Sequence, residues 1–389
     1  MAPTPLPIHG PTPPTQAIKR RAIQLGFELV GIAPAERPTH ADHYLNWLES
    51  CYHGEMAYLA RPDAVARRLN PAEALPGGRS IIIVAMNYHD QGPEAPDDSS
   101  RGLVARYARG SDYHRVFEEK LKQLANELRI SLGSDVGIRA YVDYGPVLER
   151  DHAQRAGLGW IGKNTLLIHP DLGSYLFLGE LITDAVLEPD DPFRPDHCGT
   201  CERCINACPT GAIKAGRALD ARLCISYLTI ELKGPIPREL RALIGNRIFG
   251  CDICQEVCPW NNEIPGTSEP RFQPRADVSG VELIALMGLS EEQFRQRFSD
   301  SPLTRPKRAG LLRNVAVALG NWGDRAAVPV LNEALVDAEP LVRGHAAWAL
   351  GRIDSVDARE TLQKHLQHER VAWVREELAF ALSGRELRD

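Results

Sequence analysis

The chain has 389 residues, of which 43% are hydrophobic and 25% charged, and its formal net charge is −6. These values are ordinary for a globular protein of two or three domains, and they exclude a uniformly basic surface that would bind nucleic acid through overall charge. The longest apolar runs, such as SIIIVAMNY at 80–88, have the length of a buried strand and not of a membrane span.

The N-terminal segment predicts an arm followed by the start of a domain. Residues 1–15 hold six prolines, which favours a disordered arm. Lys19, Arg20 and Arg21 resemble a twin-arginine export signal, but the AIQLGFELVGIA that follows carries Glu28 and offers no small-residue cleavage site. We therefore expect an ordered domain to begin here, in a cytoplasmic protein.

Residues 16–190 alternate between helical and strand patterns, which predicts an α/β domain. The predicted elements are a helix at 16–25, strands at 29–33, 80–88 and 137–143, and a helix from Asp112 to about Ile130.

Asp143 is the most informative polar residue of this domain. It ends a predicted strand, and Pro146 starts a predicted helix at 146–156. In an open α/β sheet an acid at this position faces the ligand crevice, where it can donate a proton if burial raises its pKa. The same carboxylate can simply cap the helix, and the pattern alone leaves both interpretations open.

A glycine-rich loop follows, formed by Gly157, Gly159, Gly162, Lys163 and Asn164. Such a loop lets the backbone approach a large ligand, but it has neither a phosphate-binding nor a dinucleotide-binding order of residues. Taken alone it indicates a plain turn.

Eight of the nine cysteines fall into two spaced sets within a predicted domain at 191–265. The first set, in HCGTCERCINACPTGAI, is Cys198, Cys201, Cys204 and Cys208; the second, which ends in GCDICQEVCPWN, is Cys224, Cys251, Cys254 and Cys258. Two-residue gaps bring three thiolates to one cubane, and the three-residue gap before Cys-Pro sends the fourth to the other cluster, as in bacterial two-cluster ferredoxins.

The spacing therefore predicts two 4Fe-4S clusters in a ferredoxin-like domain. One would be bound by Cys198, Cys201, Cys204 and Cys258, and the other by Cys208, Cys224, Cys251 and Cys254. Two zinc ions are the alternative, although a zinc ribbon does not require the two Cys-Pro tails, and a disulfide framework is not needed in a chain of this length. The ninth cysteine, Cys51, is predicted to be a buried structural thiol.

The segment 275–389 becomes helical and contains three similar stretches about 31 residues apart, LLRNVAVALGNWGD, LVRGHAAWALGRID and WVREELAFALSGRE. This period predicts HEAT-like helical repeats, which mostly bind partners. Arginines recur at aligned positions, and they either form a ridge or bond to the preceding repeat: Arg313, Arg343 and Arg375. A nearby basic group either meets phosphates or lies on a solvated rim: Arg305, Lys307, Arg308 and Arg313.

Several motifs together resemble the epoxyqueuosine reductase family. They are VDYGPVLERDHAQRAGLGWIGKNT, GSYLFLGELIT at 173–183, CPTGAI, RLCISYLTIELKG at 222–234 and IGNRIFGCDICQEVCPWN at 244–261. The resemblance implies a cobalamin-dependent oxidoreductase that removes the epoxide oxygen of epoxyqueuosine at the wobble position of tRNA. It also implies that the α/β domain binds cobalamin and has a fold like that of reductive dehalogenases and nitroreductases.

The resemblance assigns roles to individual residues. Asp143 matches the proton donor above the cobalt, and Tyr144 stands where relatives commonly have threonine, which leaves the pocket shape in doubt. The implied cobalamin contacts are Arg61, Tyr107, Asp143, Leu167, Leu178, Ser226, Cys251 and Asp252.

Further expectations are an external low-potential electron donor and a monomer, since no heptad or exposed apolar run is present. Two other functions remain open. One is a cobalamin-dependent reductase of a small molecule, related to reductive dehalogenases, and the other is a non-catalytic iron–sulfur electron carrier.

Overall fold

The computed structural model describes residues 14–91, 98–278 and 280–384. Its strands are β1 Leu29–Pro34, β2 Ser80–Asn87, β3 Arg101–Val104, β4 Ile138–Tyr141, β5 Trp160–Ile161, β6 Leu167–Ile168, β7 Leu176–Thr183, β8 Ile213–Lys214, β9 Ala218–Leu219, β10 Arg247–Phe249 and β11 Val281–Glu282. Its α-helices are α1 Pro14–Gln24, α2 Ala41–Glu49, α3 Pro62–Leu69, α4 Tyr113–Leu132, α5 Glu149–Arg155, α6 Arg203–Ala207, α7 Ile225–Ile230, α8 Arg238–Ile244, α9 Ile253–Glu256, α10 Leu283–Met287, α11 Glu291–Phe298, α12 Lys307–Trp322, α13 Val328–Ala334, α14 Pro340–Ile353, α15 Val356–Leu366 and α16 Ala372–Ser383.

The predicted arm at 1–15 lies mostly outside the described residues. Its last two members, Pro14 and Thr15, already belong to α1, so helix begins two residues before the predicted start of order.

A four-stranded sheet in the order β1-β2-β7-β4 forms the first part of the chain. All eight residues of β2 are buried, because this apolar, β-branched run lies inside the sheet and is covered on both faces. Helices α1 and α4 cover one face with a core that includes Phe27 and Phe117, while α5 covers the other with Val147 and Ala153. The sheet with helices on both faces agrees with the predicted α/β class.

The strand directions correct the argument that pointed to Asp143. Every pair in this sheet is antiparallel, so the rule for the carboxyl ends of parallel strands does not apply. Strand β4 ends at Tyr141 and α5 begins at Glu149, later than the predicted helix at 146–156. Leu148 is the N-cap of α5, and Asp143 is therefore not a helix cap. Residues 142–148 form an irregular segment, here called the Asp143 loop.

Two short strands connect the α/β part to later segments. Strand β10 pairs with β3 in parallel, and β11 pairs with the same strand antiparallel. The sequence gives no signal for these pairings because each involves only two or three residues separated by more than a hundred positions. The first pairing places β10, which ends two residues before Cys251, against β3.

The C-terminal helices pack in series, with α14 in contact with both α12 and α16 and with α13 and α15 packed beside it. The aligned arginines do not form one exposed ridge. Arg313 is fully buried and donates to the carbonyl oxygens of Leu228 (2.6 Å) and Leu232 (2.8 Å) in the cysteine-bearing region. Arg343 pairs with Glu369 at 2.7 Å, whereas Arg375 is exposed. The first arginine thus docks the repeats onto the preceding domain.

Two further observations concern membrane-spanning helices and the ninth cysteine. No α-helix within the described ranges is long and apolar enough to cross a membrane. Cys51 is exposed and not buried as predicted, because it lies in the turn after α2, where its φ is 54°.

Candidate active site and cluster centre

Asp143 has a left-handed backbone conformation, with a φ of 59°, at the tip of its loop. Such a conformation is uncommon for residues other than glycine and is tolerated best by Asp and Asn. The Tyr113 hydroxyl donates a 2.6 Å hydrogen bond to Oδ2 of Asp143, whose side chain is 60% exposed. The carboxyl group is therefore both held by a neighbour and open to a ligand.

Tyr113 is fixed by its position at the start of α4. Its ring stacks on Phe177 of β7, with centroids 4.1 Å apart and an interplanar angle of 8°. Burial, and then the Asp143 charge, raise the pKa of Tyr113 well above its ordinary value. The phenol therefore keeps its proton and remains a donor to Asp143.

Tyr107 connects Asp143 to the second cysteine set. Its ring lies 6.3 Å from that of Tyr113 and 5.9 Å from that of Phe249, the residue before Gly250 and Cys251. Burial raises its pKa well above the ordinary value, and the charges of Asp143 and Asp252 raise it further. Three of the implied cofactor contacts, Tyr107, Asp143 and Asp252, thus lie in one region.

Asp252 is buried beside a cavity of about 180 Å³. Its Oδ2 accepts a 2.7 Å hydrogen bond from the backbone N–H of Arg106, and burial raises its pKa to about 6. The cavity is lined by Leu103, Val104, Ala105, Arg109, Arg247, Gly250, Cys251, Asp252 and Glu256. It thus opens beside a predicted cluster ligand.

A buried carboxyl group lies beneath the Asp143 loop. Glu180 of β7 is fully buried, and neither of its oxygens has a hydrogen-bond partner among the described residues. A Cβ atom on Gly145 of the loop would lie 3.1 Å from its Oε1. Burial and the charges of Glu149 and Asp143 raise the pKa of Glu180 well above the ordinary value. An uncharged, unpartnered acid therefore faces the loop from below.

The remaining implied cofactor contacts are dispersed. Leu167 and Leu178 are buried in one apolar cluster on the same face of the sheet as Glu180. Ser226 lies half-buried on α7, two residues after Cys224. Arg61 is exposed at the N-cap of α3 and pairs with Asp63 at 3.4 Å.

Four cysteines surround a cavity of about 40 Å³, and they are the four assigned from spacing to the first cluster: Cys198, Cys201, Cys204 and Cys258. Burial raises the pKa of Cys258, and Cys198 and Cys204 raise it further. All nine cysteines of the chain are free thiols, which excludes the disulfide framework.

The other four cysteines lie around the neighbouring turn. Burial raises the pKa of Cys254 well above its ordinary value, and the charges of Cys224 and Cys251 raise it further. The charge of Cys208 adds to the pKa increase of Cys224, so these two cysteines lie near each other. Among the described residues no group of three or more His, Cys, Asp and Glu side chains is placed to hold a single metal ion.

The glycine-rich loop has a role that sequence reasoning missed. It closes the β5–β6 hairpin, and its Trp160 donates from Nε1 to the Cys198 sulfur at 3.5 Å. Asn164 is buried with an unpartnered Nδ2 and lines the same cavity as Lys163. Trp160, which stands between Gly159 and Gly162, was the feature of the sequence that could have indicated this role. Tyr113 and His114, in the SDYH at the start of α4, were also missed.

Three family models match the chain. They are described as "Epoxyqueuosine reductase QueG, DUF1730" over residues 68–144, "4Fe-4S double cluster binding domain" over 197–261 and "HEAT repeats" over 307–383. The predicted double-cluster domain and helical repeats are thereby confirmed.

Known proteins resemble the chain over most of its length. An epoxyqueuosine reductase of Pseudomonas aeruginosa is 46% identical over 350 residues, covering 87% of this chain and 94% of the relative. A solved epoxyqueuosine reductase with an epoxyqueuosine-modified tRNA-Tyr stem loop has a TM-score of 0.88 and 33% identity, covering 95% and 97% of the two chains.

A Bacillus subtilis epoxyqueuosine reductase, solved with an aspartate-bearing catalytic loop swung out of the active site, has a TM-score of 0.87 and 33% identity. The match covers 95% of this chain and 98% of that one. The site geometry, the cluster domain and the extent of these matches agree. The chain belongs to the epoxyqueuosine reductase family of oxidoreductases.

Proposed function

We propose that the chain reduces epoxyqueuosine to queuosine at the wobble position of tRNA, the last step in making this base. The observation that carries the chemistry is the hydrogen-bonded, solvent-facing carboxyl group of Asp143. Reduction of an epoxide to an alkene breaks two C–O bonds and consumes two electrons and two protons, and the oxygen leaves as water. Asp143 donates a proton to that departing oxygen.

We assign the cysteines to two 4Fe-4S clusters in the partition that the spacing gave. The first is bound by Cys198, Cys201, Cys204 and Cys258, and this is supported by the cavity that they line. The second is bound by Cys208, Cys224, Cys251 and Cys254, and this is supported by their lying outside the cavity lined by the first four. When present, the clusters supply a route for single electrons from an external low-potential donor.

Cobalamin is the further cofactor that we propose. The unpartnered Glu180 beneath the Asp143 loop supports it, because a corrin ring carries peripheral amides that donate hydrogen bonds. Apolar contacts would come from Leu167 and Leu178, which lie on the same face of the sheet. The residues on the side of the second cluster would be Tyr107, Ser226, Cys251 and Asp252, and we retain Arg61 as a contact from the surface. The chemistry that bound cobalamin supplies is low-potential electron delivery to the epoxide carbons.

The tRNA would approach the mouth of this site, where Arg305 is exposed. Arg305 pairs with Glu231 at 2.8 Å. Burial opposes its ionisation, but the bond to Glu231 raises its pKa overall, and the charges of Tyr58 and Asp143 add to the increase, so it lies near the acid. Arg308 and Arg313 are engaged internally, which leaves Arg305 and Lys307 as the phosphate contacts. We further propose that the protein works as a monomer in the cytoplasm.

The test is anaerobic incubation of the cluster-loaded protein with cobalamin, a low-potential reductant and tRNA carrying epoxyqueuosine. Nucleoside mass spectrometry should then detect queuosine, lighter by one oxygen, only when cobalamin is present. No product from protein with verified clusters and cobalamin would contradict the proposal and direct the search to small reducible substrates. Failure to bind cobalamin at all would favour an electron carrier.

A further inference from the structure

We propose that His114 returns protons to Asp143 and that Asp112 positions His114 for this transfer. The inference rests on the proposed function, in which Asp143 protonates the departing oxygen. Water formation takes two protons in each turnover, whereas one carboxyl group carries only one. Asp143 must therefore be reloaded, and a proton source beside it is required.

His114 stands between two carboxylates. Its Nδ1 lies 2.7 Å from Oδ1 of Asp112, and its Nε2 lies 3.9 Å from Oδ2 of Asp143. Asp112 is the N-cap of α4 and also accepts from the backbone N–H of His114 at 3.1 Å. The carboxylate on Nδ1 fixes the ring orientation and leaves Nε2 directed toward the acid.

Ring contacts hold His114 in that position. Its imidazole stacks on Tyr113 with centroids 4.1 Å apart, and Tyr144 of the Asp143 loop lies 6.0 Å away on a nearly parallel plane. The Tyr144 hydroxyl donates to Glu118 at 3.0 Å. The tyrosine that departs from the expected threonine thus helps to fix the loop against the histidine. A distance of 3.9 Å exceeds a hydrogen bond, but a small ring movement or one bridging water spans it.

The proposed transfer involves no electrons. The imidazolium of His114 gives its Nε2 proton to Oδ2 of the Asp143 carboxylate, while the Nδ1 proton stays on the hydrogen bond to Asp112. The neutral ring then takes a proton at Nε2 from bulk water or a buffer acid, since its side chain is 30% exposed. Burial opposes ionisation of Asp112, but its hydrogen bonds with His114 lower its pKa overall, so it stays a carboxylate.

Rescue by added imidazole and the pH profile distinguish this role from a structural one. His114→Gln should slow single-turnover reduction as well, because each reduction consumes two protons and the Asp143 carboxyl group can deliver only one before it is reloaded. Multiple turnover should slow at least about tenfold, less than the ~10²–10⁴ of a direct proton donor. Added imidazole should restore the rate, and the pH profile should lose one ionisation. The groups that face the ring and shape that profile are Asp112, Asp143, Tyr144 and Glu118.

The controls separate the outcomes. His43→Gln, an exposed histidine on α2, should behave as wild type. A His114 variant with wild-type multiple turnover, or with a slow first turnover that imidazole leaves unchanged, would overturn the relay. If this variant loses its clusters, Asp112→Asn is tested in its place. It should show the same slow multiple turnover, and a wild-type rate would contradict the inference. Asp143→Asn should lose queuosine formation with or without imidazole, and its full activity would overturn Asp143 as the proton donor. Absence of queuosine with the loaded wild-type protein would instead overturn the proposed function.

Discussion

At the scale of single residues, the site is defined by acids in unlike environments. Asp143, the proposed proton donor, is exposed and is held by Tyr113. Glu180 and Glu149 lie behind it, and burial raises the pKa of both. The Asp143 charge adds to each increase, so ionisation at the loop and in the layer beneath it is coupled.

Glu149 gives a pH-dependent stability that a single substitution tests. Burial, and then the Asp143 charge, raise its pKa from an ordinary 4.5 to about 7. Between these values the folded protein keeps a proton that the unfolded chain has lost, so stability should fall as the pH rises through this window. Glu149→Gln should flatten the decline in Tm between about pH 5 and 7.

Anaerobic thermal denaturation at a series of pH values measures this effect. The exposed Glu333→Gln on α13 is the matched control and should keep the wild-type slope. An unchanged slope in the Glu149 variant would mean that this carboxyl group is not the one that titrates.

At the scale of elements, the β5–β6 hairpin forms part of the first cluster's surroundings. Gly159 precedes Trp160 with a φ of 149°, and a Cβ there would lie 2.2 Å from the Ile168 carbonyl oxygen. Only glycine permits this close approach, which carries the Trp160 indole over Cys198. The loop that suggested a plain turn in the sequence is a tight turn that places a hydrogen-bond donor on a sulfur.

Removing the Trp160 hydrogen-bond donor should change the reduction potential of the first cluster. Hydrogen bonds to cluster sulfurs stabilise the reduced, more negative state, so Trp160→Phe should make its reduction potential more negative. An EPR-monitored redox titration measures the change, with the second cluster as an internal reference. Trp260→Phe is the control, because its ring packs 5.1 Å from Trp160 and should leave the potential near wild type. Equal potentials in both variants would rule out the Trp160 hydrogen bond as a determinant.

At the scale of the whole molecule, buried arginines join the helical repeats to the cluster domain. Arg313 donates to three carbonyl oxygens of residues 228–234, and Arg241 of α8 forms a bidentate pair with Glu377 of α16 at 2.9 and 3.0 Å. The repeats are therefore a fixed part of the structure beside the active-site mouth.

Arg313→Met should destabilise this junction. The change leaves buried carbonyl oxygens without a donor, which costs about 1–3 kcal/mol for each unsatisfied group. We expect the unfolding midpoint, measured by calorimetry, to fall by several degrees. Arg375→Met changes the aligned but exposed arginine and should move the midpoint little. Equal effects of the two substitutions would contradict the docking role.

The sequence predicted local features better than distant ones. Cysteine spacing indicated two sets because three ligands of each cubane lie within a few residues, and the repeats were visible because their period is short. The contact of Tyr113 with Asp143 spans 30 residues and depends on an antiparallel sheet, which no local pattern indicated. The aligned arginines likewise could not be divided into buried and exposed members, since that division depends on the neighbouring domain.

The most direct test of the account is the single-turnover rate of Asp143→Asn, loaded with both clusters and cobalamin, on epoxyqueuosine-containing tRNA. The substitution keeps the side-chain size but removes the transferable proton. We predict that queuosine formation falls by at least about 10²-fold while cobalamin and tRNA still bind. Queuosine formation at the wild-type rate would contradict the assignment of Asp143 as the proton donor.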